Sequence, residues 1–148
     1  MEFRNGAELL ELCAREDCLI SQVMRRRECE QGEAAPDRVE ARMARALEIM
    51  RESATQPLKT PVRSMGGLIG GEAKRLATHA AKKKALCGPV LQRAITYAMA
   101  VLEVNASMGL IVAAPTAGSS GVVPGLLLAL QDEYHISDER LLDGLFNA

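Results

Sequence analysis

The sequence predicts a mainly α fold, a multi-helix domain whose helices are joined by glycine-rich loops. Three observations support this prediction. Apolar residues recur at the spacing of an amphipathic helix, strand patterns are almost absent, and aromatic residues make up only 3% of the 148 residues. An interior with so few large rings requires small side chains and closely spaced helices. Because 48% of the residues are apolar, the chain has enough surface to form the core of one domain.

Composition and charge exclude several classes of partner. The formal net charge is -1 and the pI is about 6.1, so the surface lacks the one-sided basic field of a nucleic-acid-binding or membrane-surface protein. The longest apolar runs, 110–114 and 122–130, are shorter than the roughly 20 residues that span a bilayer. The start of the sequence has no basic segment leading into an apolar one, as an export signal would. We therefore expect a cytoplasmic protein that binds neither nucleic acid nor membrane.

The first helices are predicted from capping residues. Asn5 followed by Glu8 indicates an N-cap with its partner at the third helical position. Asp17 is predicted to cap a second helix, which would turn Leu19 inward and stop at Gly32.

The middle of the chain is predicted to contain a long helix, a long loop and a further helix. Pro36 stands near the first turn of the long helix, in which apolar residues recur at the helical period. Residues 55–71 contain two prolines and two Gly-Gly pairs, so they are predicted to form the loop. Glu72 opens the next helix, which is predicted to end at Gly88 with a lysine run, 82–84, in its last turns.

The last part of the chain is predicted to begin with a strongly apolar helix at Pro89. Gly109 weakens the helical pattern, and the apolar run that follows fits either a short strand or a continuing buried helix. Pro124 indicates the start of another helix, and Ser137 is predicted to cap a last one.

The four cysteines, Cys13, Cys18, Cys29 and Cys87, are predicted to be reduced thiols on helix faces. Zinc sites pair cysteines two to four residues apart in each half of the site, and the C-x4-C-x10-C spacing with a distant fourth cysteine does not match this signature. No metal-ligating residue is therefore assigned from spacing.

The segment "APTAGSSG" at 114–121 combines hydroxyl groups with backbone N–H groups at the start of a helix. Thr116, Ser119 and Ser120 supply the hydroxyls, and Gly118 and Gly121 allow close backbone approach. Such a combination favours a carboxylate or a phosphate, because unpaired N–H groups and the positive end of the helix dipole both attract an anion. The segment lacks the lysine of a P-loop and is not a G-x-S-x-G elbow. A plain connection between helices explains it equally well.

The longer run "NASMGLIVAAPTAGSSGVVPGLLLAL", with "SMGGLIGGEA" upstream and "FRNGAELLELCARED" near the start, closely resembles the α chain of the iron-sulfur L-serine dehydratases. The resemblance is collinear over nearly the whole chain. It implies a lyase of amino-acid degradation and gluconeogenesis, the L-serine ammonia-lyase, which eliminates water from L-serine to give pyruvate and ammonia. The cofactor implied is a 4Fe-4S cluster held by three cysteines, not pyridoxal phosphate (PLP). The implied partners are L-serine, a separate β chain and an oligomeric assembly.

The sequence also departs from this family. The family's cysteines stand in segments reading roughly N-A-S-I-S-G-A-E-G-G-C-Q and C-D-P-V-A-G, and neither occurs here. We therefore expect residues 1–148 to be the N-terminal, incomplete part of the α-chain domain, truncated before its cluster-binding half. Cys18 and Cys29 share the C-x10-C spacing of the later pair, but the residues between them differ, so no ligand role is carried over. The fragment alone is expected to be inactive, and the catalytic base is not identified.

Five residues match the family pattern and are expected to bind substrate by orienting the carboxylate or amino group of serine: Asn105, Thr116, Gly118, Ser119 and Gly121. Ser120 ranks lower, and the upstream glycines at 66, 67, 70 and 71 are expected to shape the opposite wall of the site. Two other interpretations remain open at this point. The chain fits a non-catalytic helical module that docks a partner, or a domain that binds a small anion through the 115–121 loop.

Overall fold

The computed structural model describes residues 2–82 and 86–148. Within these ranges the chain is helical, with no strand, which confirms the predicted mainly α class. The elements in order are α1 (Gly6–Glu16), α2 (Ile20–Gln31), α3 (Pro36–Lys59), α4 (Glu72–Lys82), α5 (Pro89–Ala106), a 3-10 turn (Ala117–Ser119), α6 (Val122–Tyr134) and α7 (Asp138–Asn147). None of the described helices combines the length and the hydropathy needed to cross a membrane.

The described residues form two compact units. The first consists of residues up to 45 together with 138–148, and the second of 46–137. In the first unit α2 packs against α7 and α1. Its core is apolar and is built from one side of each helix: Leu12, Val23, Val39, Leu141, Leu145 and Phe146.

The second unit is organised around α5, which packs against α4 on one side and α6 on another. Its buried side chains are mostly small, as the scarcity of aromatic residues predicts: Leu47, Met50, Ala54, Ala73, Ala100, Val101, Val104, Leu128 and Ala129. The hydroxyl of Tyr97 on α5 donates a hydrogen bond to Asp132 on α6. Partial burial and the Asp132 carboxylate raise the pKa of Tyr97 to about 12, so the hydroxyl keeps its proton at neutral pH.

The capping prediction is confirmed at α1 and wrong at α2. Asn5 Oδ1 accepts a hydrogen bond from the Glu8 N–H at 3.0 Å, as predicted. Asp17 does not cap α2. It ends α1 in the left-handed conformation, with φ 48°, and its N–H bonds to the Cys13 carbonyl. Helix α2 begins only after Leu19, whose side chain is 64% exposed instead of buried. Gly32 ends this helix as predicted.

Helix α3 is longer than the breaker residues indicated. Pro36 begins it, as predicted, but the helix continues through Pro57 to Lys59, so the loop spans 60–71 instead of 55–71. Pro57 is fully buried, and the Thr60 N–H still bonds to the Gln56 carbonyl at 3.0 Å. The burial of the Pro57 side chain therefore compensates for the backbone hydrogen bond that a proline removes from a helix.

Two predictions around α4 and α5 are wrong. The described part of α4 ends at Lys82, and Gly88 does not close it but precedes α5 as its N-cap, with φ 80°. The other two lysines of the predicted run, 83 and 84, lie outside the described residues. The apolar run 110–114 is neither strand nor helix. Pro89 begins α5, and α7 starts directly after Ser137, both as predicted.

Candidate functional site

The chain reverses direction tightly at the end of α5. Met108 adopts the left-handed conformation with φ 64°, and the Gly109 N–H bonds to the Val104 carbonyl at 2.9 Å. A Cβ atom at Gly109 would lie 2.6 Å from Val104 Cγ1, so only glycine fits this turn. Because α5 ends here, the apolar residues after Gly109 leave the helix, and Leu110 is 65% exposed.

The predicted binding loop folds into a 3-10 turn capped by its own hydroxyl groups. Thr116 Oγ1 accepts a hydrogen bond from the Ser119 N–H at 3.3 Å, and the two hydroxyl oxygens lie 2.9 Å apart. Ser120, which is buried, donates from Oγ to the Ala117 carbonyl at 2.8 Å. The Ala114–Pro115 peptide bond that leads into the turn is cis.

Asn105 fixes this loop to the end of α5. Its Nδ2 donates to the Ala117 carbonyl at 3.0 Å, so that one carbonyl accepts from both Asn105 and Ser120. Asn105 was predicted to contact substrate. In the structure its amide group holds the loop that carries Thr116 and Ser119.

Gly121 has a packing role at the start of α6. A Cβ atom there would lie 2.6 Å from the carbonyl oxygen of Ala98 on α5, and one at Gly125 would lie 2.8 Å from that of Ala94. These distances are far shorter than real Cβ contacts, so the two glycines allow α5 and α6 to pack backbone against backbone. Gly118 differs, because among the described residues its Cβ position meets just Thr116 Oγ1, at 3.9 Å.

The loop borders a cavity of about 240 Å³ whose opposite side is α5. Gly118, Ser119 and Gly121 are among its lining residues, so the structure brings three of the five predicted residues to one cavity. Asn105 and Thr116 are not among the lining residues, and both hydrogen-bond to the loop. The remaining lining residues are Ile95, Ala98, Met99, Leu102, Ser120 and Val122. The cavity therefore combines residues of the 118–122 segment with apolar side chains of α5.

The upstream glycine loop, 60–71, is a separate turn. The Ser64 N–H bonds to the Ile69 carbonyl at 2.8 Å, which closes the loop on itself. Gly70, with φ 153°, lies so close to Val62 that a Cβ atom would stand 2.5 Å from the Val62 carbonyl oxygen. The described residues that line the 240 Å³ cavity come from α5 and from 118–122, so this loop does not form its opposite wall.

Glu103 is the residue near the site that the sequence did not reveal. Its side chain is fully buried, and Oε1 accepts a hydrogen bond from the Ala73 N–H in the first turn of α4, 2.7 Å away. Among the described residues, Oε2 has no hydrogen-bond partner. A negative carboxylate at the N-terminus of a helix satisfies an N–H group and complements the helix dipole. The available signal was a single acidic residue within a mostly apolar helix.

A second carboxylate stabilises the same helix start. Glu72 Oε2 accepts from the Gly70 N–H at 2.6 Å, and Oε1 accepts from Arg75 at 2.7 Å. Hydrogen bonds from its own N–H and from that of Gly70 hold the pKa of Glu72 below its ordinary value. The turn 70–73 thus connects the glycine loop to Glu103 through backbone N–H groups.

The cysteines do not form a cluster site within the described residues. Cys13 and Cys18 are adjacent, and partial burial together with the Cys18 thiol raises the pKa of Cys13. A raised pKa disfavours the thiolate that ligates iron. Cys29 is half-buried and Cys87 is exposed in the second unit. Across 2–82 and 86–148 there is no group of three histidine, cysteine or acidic side chains that could hold a metal ion. The residues described here do not fit an iron-sulfur cluster.

Comparison with known proteins identifies the family. Residues 15–148 match the model of the serine dehydratase alpha chain, and the chain belongs to this family. It is 40% identical over 146 residues to a probable L-serine dehydratase, alpha chain, of Bacillus subtilis, an alignment that covers 99% of this chain and 48% of the relative. It is 30% identical over 141 residues to the L-serine dehydratase, alpha chain, of Peptoniphilus asaccharolyticus, covering 95% and 48%.

A third relative is a protein from Helicobacter pylori named L-serine dehydratase. It is 31% identical over 133 residues, which cover 86% of this chain and 28% of the relative. The chain therefore spans about half the length of the Bacillus and Peptoniphilus relatives. Among solved structures there is no significant match.

Proposed function

We propose that this chain is part of an L-serine dehydratase that eliminates water from L-serine to give pyruvate and ammonia, and that it supplies one side of the substrate site. Family membership supports the reaction class, since relatives named as L-serine dehydratase alpha chains align with nearly the whole chain. In this reaction serine loses its α-proton and its β-hydroxyl group to give an aminoacrylate, which tautomerises and is hydrolysed to pyruvate and ammonia. The proton acceptor is not assigned to a described residue.

The observation that carries the proposal is the geometry of the 115–121 loop. Asn105 and Ser120 hold the Ala117 carbonyl, and the turn presents Gly118 and Ser119 to the 240 Å³ cavity. We propose that the Ser119 hydroxyl, oriented by Thr116, hydrogen-bonds the carboxylate or the amino group of serine. Gly118 leaves space for the substrate to approach the backbone. Gly121 supports this arrangement by holding α6 against α5.

The cofactor we propose is a 4Fe-4S cluster, as the resemblance implies, and not PLP. Its ligands would come from outside the described residues, because the cysteines found here do not converge. No step of the reaction is therefore assigned to the cysteines of this chain. The chain would be one portion, 1–148, of an α-chain domain and inactive alone.

Assembly and location complete the proposal. A β chain and an oligomeric enzyme are proposed because the matching relatives are named as alpha chains. We place the enzyme in the cytoplasm, and its four free cysteines are compatible with a reducing compartment.

The test is a chimera in which this chain replaces the matched region of the Bacillus subtilis α chain, produced with that protein's β chain. After anaerobic reconstitution with iron and sulfide, the chimera should release pyruvate from L-serine. Ser119→Ala should lower kcat/KM by about tenfold or more, since a hydrogen bond to a charged group contributes roughly 1.5–3 kcal/mol.

The matched control is Ser107→Ala. The Ser107 hydroxyl donates to the Val104 carbonyl within the end of α5 and does not line the cavity, so kcat/KM should change little. A chimera that contains the cluster and forms no pyruvate would refute the proposed reaction. Equal losses in the two variants would refute the role of Ser119.

A further inference from the structure

Helix α5 is rich in apolar residues. It contains two charged residues, Arg93 and Glu103, in 18 positions. One face is buried in the second unit through Thr96, Ala100 and Val104. An ordinary surface helix has a polar outer face opposite its buried one. The other face of α5 is therefore the one that needs an explanation.

That face carries a stripe of large apolar side chains that remain exposed. Leu91, Ile95 and Leu102 are 52%, 42% and 40% exposed. Their spacing of four and seven residues places them on one side of the helix. Val122 and Leu126, four residues apart on α6, are 63% and 51% exposed. We call these five residues the α5–α6 face.

The two helices present this face as one surface. The glycine contacts of Gly121 and Gly125 bring the α6 backbone against α5. A hollow of about 390 Å³ is lined by both Leu91 and Leu126, and the 240 Å³ cavity is lined by Ile95, Leu102 and Val122. The face thus runs along both helices and ends at the predicted substrate loop. An apolar patch of this kind marks an interaction surface.

The length of the relatives indicates what covers this surface. The alignment with the Bacillus subtilis α chain uses 99% of this chain but only 48% of the relative, so half of that protein has no counterpart here. We propose that the α5–α6 face docks the polypeptide that corresponds to this unmatched half, through an apolar surface of that polypeptide. Docking there would also close the cavity beside Gly118 and Ser119. The inference depends on family membership and on exposure, and it holds whether or not the proposed reaction is correct.

The test is to produce the 148-residue chain together with the unmatched part of the Bacillus subtilis α chain as a separate polypeptide. A 1:1 complex should be isolated and its mass confirmed by native mass spectrometry. Leu91→Lys and Leu126→Lys should weaken the complex at least tenfold, with Val122→Lys as an independent third variant. Leu10→Lys and Leu68→Lys are the matched controls, because these leucines are 60% and 91% exposed and lie outside the face.

Melting temperatures of the isolated chain distinguish a loss of docking from a loss of folding. Because the substituted side chains are largely exposed, each variant should melt within a few degrees of the unchanged chain, as surface substitutions do. Loss of the complex in the face variants only, with unchanged melting, supports the proposal. Absence of the complex, equal weakening by the controls, or a homodimer of the chain that the same lysines dissociate would each overturn it. No pyruvate assay is involved, so failure here is distinct from failure of the proposed reaction.

Discussion

The carboxylate of Glu103 accepts a hydrogen bond from the N–H of Ala73, 2.7 Å away and 30 positions earlier in the chain. Two residues after Glu103, the amide of Asn105 donates to the Ala117 carbonyl in the second loop. Positions two apart on a helix project to nearly opposite sides. The last turns of α5 therefore hold the first turn of α4 with one side chain and the 115–121 loop with another. One helix end thus contacts both the start of α4 and the predicted binding loop.

Removal of the Glu103 carboxylate should destabilise the second unit. Glu103→Ala leaves the Ala73 N–H without its partner in a buried position and opens a cavity, so we expect a loss of about 3 kcal/mol in the free energy of unfolding. Glu103→Gln keeps an acceptor oxygen and should lose less. Urea unfolding followed by circular dichroism measures both values.

The control for this prediction is Glu52→Ala. Glu52 is exposed on α3, so its replacement should change the free energy of unfolding by less than about 0.5 kcal/mol. Equal losses for the substitutions at 103 and 52 would contradict the role assigned to the buried carboxylate.

The contact between α5 and α6 predicts different effects at three glycines. Gly121→Ala and Gly125→Ala would place a methyl group 2.6 Å and 2.8 Å from carbonyl oxygens of α5, so each should cost about 1–3 kcal/mol through overpacking. Gly118→Ala would make only an ordinary contact with Thr116 Oγ1, at 3.9 Å, and should leave stability nearly unchanged. Thermal unfolding of the three variants measures the difference. Similar melting temperatures for all three variants would contradict the prediction, because α5 and α6 would then accommodate the added methyl groups without cost.

The sequence predicted those features of the fold that depend on local chemistry. Asn5, Pro36 and Pro89 mark helix starts through a side-chain cap or a fixed φ, and these starts are confirmed. Asp17 was misinterpreted because it ends α1 in the left-handed conformation, and Pro57 because burial keeps it within α3. An aspartate can cap a helix start or adopt the left-handed conformation at a helix end, and a buried proline can stay within a helix.

In the candidate site, too, local features were predictable from the sequence and tertiary contacts were not. The hydroxyl and glycine pattern around Ser119 was sufficient to predict the loop, because such residues form capped turns. Glu103 could not be recognised, because its partner lies on another helix and only the tertiary structure brings them together. The packing role of Gly121 was hidden for the same reason, since it depends on the closeness of Ala98.

Loss of the Asn105 amide should loosen the 115–121 loop without unfolding the chain. In Asn105→Ala the Ala117 carbonyl loses its donor from α5 and keeps the Ser120 hydroxyl, so we expect faster hydrogen exchange of the loop amides and a stability loss of about 1 kcal/mol. Mass spectrometry of exchanged peptides covering 115–121 provides the measurement. Asn147→Ala at the end of α7 is the control and should leave exchange in this loop unchanged. Unaltered loop exchange in Asn105→Ala would contradict the anchoring role.

The stability of the first unit should depend on pH through the ion pair of Arg25 and Asp143, which are 2.6 Å apart. Arg25 also bonds to Glu40 at 2.9 Å, and its guanidinium lies 4.2 Å from the ring centre of Phe146. The hydrogen bond from Arg25 holds the pKa of Asp143 below the ordinary value of about 3.9. A carboxylate with a lowered folded-state pKa stabilises the protein above its unfolded pKa and loses that contribution as the pH falls through the folded value.

Asp143→Asn should therefore lower the free energy of unfolding at neutral pH by about 0.5–1 kcal/mol, a modest value because the pair is partly exposed. The difference from the unchanged chain should shrink toward zero as the pH falls through and below about 3.9. Urea unfolding between neutral pH and about pH 3 measures this trend, with the exposed Glu11→Gln as a control that should show little difference at neutral pH. A difference that stayed constant over this range would mean that Asp143 stabilises the unit by packing and not by its charge.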